Sequence, residues 1–274
     1  MTIKVGRMPY LNSDVFYRAL PEDAAELIAL TPRAMANALR EGDLDAGPMP
    51  LAEIIRLGDD VVQLGDLCVA TTKAALSILL FANSPLTKLS GTRIAVTAHT
   101  ATSVQLMRVL MAEEWGVTGA ELVTPDDPHD ALLLIGDPAL QARRGLPGFE
   151  YKFDLGLEWF NHTDGLPFVF AYWVARRSAD PGEVADFERQ LNNAFETGIS
   201  DLNAVVAGRS ELDMTNDEKL AYLRGFSYRI GDPERASMDR FRASFLNLPD
   251  WSPPRATNKT LEADAAGVGN EARV

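Results

Sequence analysis

Apolar residues run along the chain in short blocks, separated by segments where they recur every third or fourth position. This alternation is expected of strands packed between helices. Strands are predicted at residues 3–5, 27–30 and 44–47, at a longer apolar run 74–82, and at 93–96, 131–135, 151–153 and 167–175. Thr31 followed by Pro32 marks a helix start and Gly42 its end. Proline lacks an N–H that a first turn could not use, and glycine accepts the left-handed turn that closes a helix. Further helices are predicted at 51–57 and 101–115, and beyond Gly182 the pattern is helical. There Val184, Phe187, Leu191, Phe195, Ile199 and Leu202 share one face. Thr215 and Glu218 form a capping box that opens a helix to about residue 226, and a last helix spans 234–246.

The runs 74–82 and 167–175 bracket a self-contained α/β segment, as when a chain leaves one lobe, builds a second and returns. The expectation is an α/β protein of two lobes with an interlobe cleft: residues 1–82 plus 173–255 as a discontinuous first lobe, 83–172 as the inserted second, and a polar, disordered tail at 256–274. A single α/β domain carrying an insertion is the alternative that pattern alone leaves open. No internal sequence repeat is evident. In such folds a ligand sits at the carboxyl ends of strands, where loops meet helix starts.

Composition narrows the chemistry. Of 274 residues 46% are hydrophobic and 24% charged, ordinary for a globular chain. The net charge of −13 repels nucleic acid and anionic membrane, so neither is an expected partner. An acidic ligand must then be held by local donors, such as backbone N–H groups at a helix start. Cys68 is the single cysteine, which excludes an internal disulfide and a cysteine metal cluster. His99, His129 and His162 show no metal-binding spacing, and His129 lies in a charged loop; a P-loop, a nucleophile elbow and a dinucleotide fingerprint are missing. No cofactor or metal is expected. The opening residues show no export signal and no apolar run is long enough to span a bilayer, so a cytoplasmic protein is expected, its oligomeric state open between monomer and homodimer.

Four loops that follow strands carry the candidate groups. Met8-Pro-Tyr-Leu-Asn12 presents Tyr10 and an amide, Asn12; Ser77 lies within an apolar run; Thr100-Ala-Thr102-Ser103 opens a helix; and Ile135-Gly136-Asp137 ends a strand. Each has an ordinary explanation: a turn for Asn12, a backbone-bonded buried serine for Ser77, helix capping for the other two. Their common placement at strand ends is what links them.

Together these segments resemble the chorismate dehydratase family of the futalosine route to menaquinone. The matches are Val5-Gly-Arg-Met-Pro-Tyr-Leu-Asn12, Glu41-Gly-Asp-Leu-Asp45, Leu76-Ser77, Thr102-Ser103-Val104, Leu134-Ile-Gly-Asp137 with Ala139, Asp154-Leu-Gly156 with Trp159, and Gly165-Leu-Pro-Phe-Val-Phe-Ala171 with Trp173. The resemblance implies a periplasmic-binding-protein type II fold and a cofactor-free loss of water from chorismate. It places Asn12 and Ser77 as catalytic groups, with Tyr10, Thr102, Ser103, Gly136 and Asp137 as substrate contacts. The proton acceptor is expected to be the substrate's enolpyruvyl carboxylate, with Asp137 as the protein-based alternative. Two departures fall at the expected cleft rim: Pro50 stands where the family usually has a hydroxyl residue, and Asn161-His162-Thr163-Asp164 is one residue longer. From a different class, a non-catalytic small-carboxylate-binding protein of the same fold is the rival; a cytoplasmic sensor has no DNA-binding segment in its favour.

Overall fold

A computed structural model describes residues 2–251; the predicted tail at 256–274 lies outside them. The chain begins with β1 (Lys4–Arg7), a 3-10 turn Leu11–Ser13 and α1 (Asp14–Tyr17), then β2 (Glu26–Ala29), α2 (Pro32–Glu41), β3 (Ala46–Pro50), α3 (Leu51–Leu57) and β4 (Val61–Thr71). It crosses into β5 (Ile78–Ala82), β6 (Arg93–Val96), α4 (Thr102–Glu113), β7 (Glu121–Val123), β8 (Ala131–Ile135), α5 (Gly136–Gln141), β9 (Tyr151–Asp154) and α6 (Leu155–His162). It returns through β10 (Phe168–Arg176), followed by α7 (Pro181–Ser200), α8 (Leu202–Ala207), α9 (Asn216–Arg224), β11 (Phe226–Arg229) and α10 (Asp232–Leu246).

Two sheets result, ordered β11-β4-β10-β3-β1-β2 and β7-β6-β8-β5-β9. In the first, β1 is parallel to β2 and β3, while β10 runs antiparallel to β3 and β4. In the second, β6 is parallel to β7 and β8, while β5 runs antiparallel to β8 and β9. The plans are the same: a strand arriving from the other sheet enters between the third and fourth parallel strands and runs against them. The molecule is therefore two-lobed, and the carboxyl ends of both parallel sets face one cleft. This repeat lies in strand direction and crossing rather than in side chains, so the sequence does not display it.

Local rules account for many element ends. Thr31 is the N-cap of α2 with Pro32 in its first turn, although the threonine side chain makes no capping bond, and Gly42 closes the helix at φ 85°. The box at Thr215 and Glu218 forms with both bonds. Along α7, Phe187, Leu191 and Phe195 are buried against Phe16, Trp173 and Tyr228, with Val184 and Ile199 packed at the margin of that cluster, while Leu202, expected on the same helix face, opens α8 instead.

Several expectations are corrected. The apolar run 74–82 is strand only from Ile78; residues before it form the crossing, held by the Asp154 carboxylate, which accepts from Ala75 N at 2.8 Å and Leu76 N at 2.6 Å. Sheet membership puts β5 wholly in the second sheet and β10 wholly in the first. The crossings thus fall before residue 78 and before residue 168, where the sequence placed the inserted lobe at 83–172. β4 escaped prediction because Gln63, Gly65 and Asp66 interrupt its apolar pattern, yet it pairs along most of its length with β10. β11 interrupts the stretch read as helical; it gains its strand geometry from pairing with β4, a tertiary contact.

Candidate active site

Where the parallel strands of both sheets end, a cavity is lined by Tyr10, Asn12, Ser77, Thr102, Ser103 and Gly136, with Met8, Pro50 and Phe170 among its apolar walls. Six predicted site residues are therefore brought together; Asp137 does not line the cavity. Among the described residues no carboxylate, histidine, lysine or arginine lines it either, so the polarity they give it comes from neutral groups.

After β1 the backbone is extended at Tyr10 (φ −112°, ψ 145°) and then tightens into the turn that carries Asn12. Leu11, fully buried, anchors that turn. Asn12 Oδ1 accepts from Ser13 Oγ at 3.3 Å, which leaves the amide nitrogen as a donor. Across the cavity Ser77 is 1% exposed. Its Oγ accepts from the Tyr222 hydroxyl at 2.9 Å and makes only a long bond of 3.3 Å to Ala75 O. Burial raises the Tyr222 pKa well above the usual phenol value, so Tyr222 keeps its proton and donates. The Ser77 hydrogen is held only by that long bond to Ala75 O, which a ligand acceptor would have to replace. Sequence reasoning missed Tyr222: nothing in its helical pattern separates it from a core residue.

The helix α4 begins at an N-cap, Ala101, that has no side-chain oxygen, and no side chain caps the helix. The capping explanation for Thr102 and Ser103 is thus overturned. Their helix start lines the cavity uncapped, where first-turn N–H groups and the helix dipole favour an anion. Thr102 Oγ1 instead accepts from Ala52 N of α3 at 3.2 Å. Pro50 is the N-cap of α3 and has no hydroxyl, so Thr102 supplies from the opposite lobe the cap that Pro50 cannot.

Gly136 stands at φ 63°, and a Cβ there would lie 2.5 Å from Tyr10 Cε1. Only glycine lets the Tyr10 ring lie over this turn. Gly136 N donates to Ser77 O at 2.8 Å. Asp137 points elsewhere. Its Oδ1 accepts from Leu11 N at 3.1 Å, and its Oδ2 pairs with Arg209, whose guanidinium also holds Asp14 at 2.7 Å. Burial pushes Asp137 up to about 6 against the pull of Arg209. Both Asp137 oxygens are engaged outside the cavity, apart from the six residues it was expected to join. Arg209 was missed because its partners are remote in sequence.

The 161–164 segment is also displaced from expectation. It does not line the cavity; His162 bonds Glu114 at 2.9 Å and Glu113 at 3.2 Å, at the carboxyl end of α4. His129 bonds the Asp127 carbonyl at 2.7 Å. Among the described residues no group of three or more His, Cys, Asp or Glu is placed to hold a metal ion, and no helix is long and apolar enough to cross a membrane.

Comparison with known proteins agrees with this architecture. Residues 3–245 match the protein family described as menaquinone biosynthesis. The chorismate dehydratase of Thermus thermophilus is 27% identical over 267 residues, covering 89% of this chain and 95% of that protein. Among solved structures, protein AF1704 of Archaeoglobus fulgidus superposes with a TM-score of 0.69 at 15% identity, covering 88% of this chain and 96% of that one. The periplasmic aliphatic sulphonate binding protein SsuA of Escherichia coli superposes with a TM-score of 0.59 at 17% identity, covering 93% and 94%. At these identities the two structures speak to the fold alone, which is of periplasmic-binding-protein type.

Proposed function

The chain belongs to the menaquinone biosynthesis family, and from that premise we propose that it is a chorismate dehydratase acting in the cytoplasm, removing water from chorismate to leave 3-[(1-carboxyvinyl)oxy]benzoate. The observation that carries this reading is one cavity in which Asn12, Ser77, Ser103 and the uncapped start of α4 converge without a charged side chain. Loss of the C3 proton and the C4 hydroxyl makes the ring aromatic, so the step has its own thermodynamic drive. The C3 proton is vinylogous to the ring carboxylate, which takes up charge as a dienolate. Such an elimination needs orientation and charge stabilisation more than a strong acid or base, and no cofactor enters it.

The ring carboxylate sits at the α4 start, held by Ser103 and first-turn N–H groups, with Thr102 contributing its hydroxyl hydrogen. Asn12 polarises the reacting face near C3 and C4. Ser77, its oxygen accepting from Tyr222, turns its hydrogen from Ala75 O to the departing hydroxyl. The enolpyruvyl carboxylate of the substrate takes the C3 proton and passes it to the departing C4 oxygen, which leaves as water, so the carboxylate is returned unchanged. Asn12→Ala should lower turnover roughly a hundredfold, the loss typical of a donor aimed at developing charge; near-parental turnover removes Asn12 from the mechanism.

A second reading has one observation in its favour: with no carboxylate, histidine or lysine among the described residues of the lining, the cavity suits a non-catalytic receptor for small carboxylates. Purified protein mixed with chorismate, followed by ultraviolet absorbance for an aromatic product, separates the two. Binding without product supports the receptor.

A further inference from the structure

Asp137 lies just after β8, in the second sheet's part of the chain, while Leu11, Asp14 and Arg209 belong to segments flanking the first sheet. Both bonds of its carboxylate, to Leu11 N and to Arg209, therefore span the cleft. Leu11 opens the 3-10 turn that carries Asn12, and a first-turn N–H has no partner within its own helix. The neighbouring Gly136 N holds the main chain at Ser77. One dipeptide thus grips the Ser77 strand start with its backbone and the Asn12 turn with its side chain. Arg209 and Asp137 are only 12% and 13% exposed in their side chains, so the tie is shielded from water and is not a surface ion pair.

We propose that Asp137 is a positioning residue that sets Asn12 against Ser77 across the cleft, so that the reactive pair is assembled only when the lobes are closed. This rests on the cavity being the reactive site. When the lobes part, the Asp137 bonds break and the Asn12 turn loses its outside anchor. On closure one carboxylate oxygen takes the Leu11 N–H and the other the guanidinium, and of the two the Leu11 bond is the one that places the Asn12 turn.

The test compares Asp137→Ala with Asp137→Asn, using chorismate as the probe. The amide oxygen of asparagine still accepts from Leu11 N. Asp137→Ala should lower kcat about thirtyfold with KM within about threefold, the scale of an ångström-sized misplacement, while Asp137→Asn keeps kcat within about threefold. In the ligand-free protein, hydrogen exchange of the Leu11 amide should be slow in the parent and in Asp137→Asn and fast in Asp137→Ala. Equal losses of a hundredfold in both variants would make Asp137 the proton acceptor and overturn the proposal. So would parental kcat in Asp137→Ala, whatever its melting temperature. Should that variant fail to fold, Asp137→Ser, too short to reach Leu11 N, takes its place. If the parent does not dehydrate chorismate, the proposed function fails, and Leu11 exchange still decides this one: equal protection in all variants refutes it.

Discussion

Ser77 and Tyr222 show how much one buried hydroxyl decides. Tyr222 is 1% exposed and packs edge-on to Phe226 at 5.0 Å, so Tyr222→Phe keeps the ring packing and removes only the donor to Ser77. Losing one neutral hydrogen bond of about 1 kcal/mol should lower kcat about fivefold in steady-state assays; unchanged turnover would detach Ser77 from the reaction. Asp137 makes a second prediction, on stability. Its folded-state value is about 6 against an ordinary 3.8, so between these values the native state holds a proton that the unfolded chain has released. Stability from this group is then fully present below pH 3.8 and is lost as pH rises through 6. Measured by urea denaturation against Asp137→Asn, the parent should gain stability as pH falls from neutrality toward 4, opposite to the usual acid loss. A parent that loses stability relative to the variant over that window contradicts the stated direction.

Among elements, the crossing before β5 is held by one carboxylate. Asp154 accepts from Ala75 N and Leu76 N in the crossing and also from Gly156 N at 2.9 Å and Leu157 N at 3.1 Å, the first turn of α6. It caps a helix and fastens the backbone leading into Ser77 at once. Leu76 needs that help, because it holds φ 58° without being glycine, a conformation that costs about 1 kcal/mol or more. Asp154→Ala should destabilise the protein by roughly 2 to 3 kcal/mol in a denaturant melt, the sum expected for a lost cap and charge-assisted bonds. A loss near zero would mean that strand pairing alone fixes the crossing. The helix α4 shows the opposite arrangement: its start lacks a side-chain cap and opens on the cavity, where under the proposed function the substrate carboxylate would take that place.

For the whole molecule, several polar ties join the lobes, among them Arg143 to Glu218, Trp159 to Ser237 and Arg240 to Glu113. Arg33 of α2 donates to the Ala98 carbonyl at 3.0 Å and to the Thr100 carbonyl at 2.6 Å, in the loop before α4, and Thr102 meets Ala52 from the same side. Arg33 does not line the cavity, so Arg33→Ala should act on closure: KM rises roughly tenfold, as expected for about 1 to 2 kcal/mol of lost charged bonds, while kcat stays within about twofold. A fall in kcat with KM unchanged would place Arg33 in the chemistry instead. Much of this was legible in the sequence: the alternation of strands and helices, the ends of α2 and the start of α9, and the loops after β1, β6 and β8 that carry Asn12, Thr102 and Gly136. Periodicity, capping and turn preferences act over a few residues, so one sequence suffices to read them. What Asp137, Tyr222 and Arg209 do was decided only in three dimensions, because Leu11 and Asp137 stand 126 positions apart and Ser77 and Tyr222 stand 145 apart. The same holds for the sheet each crossing strand joins. A strand's own side chains set its tendency to pair, but the partner is chosen by which edge remains open once the rest of the chain has packed.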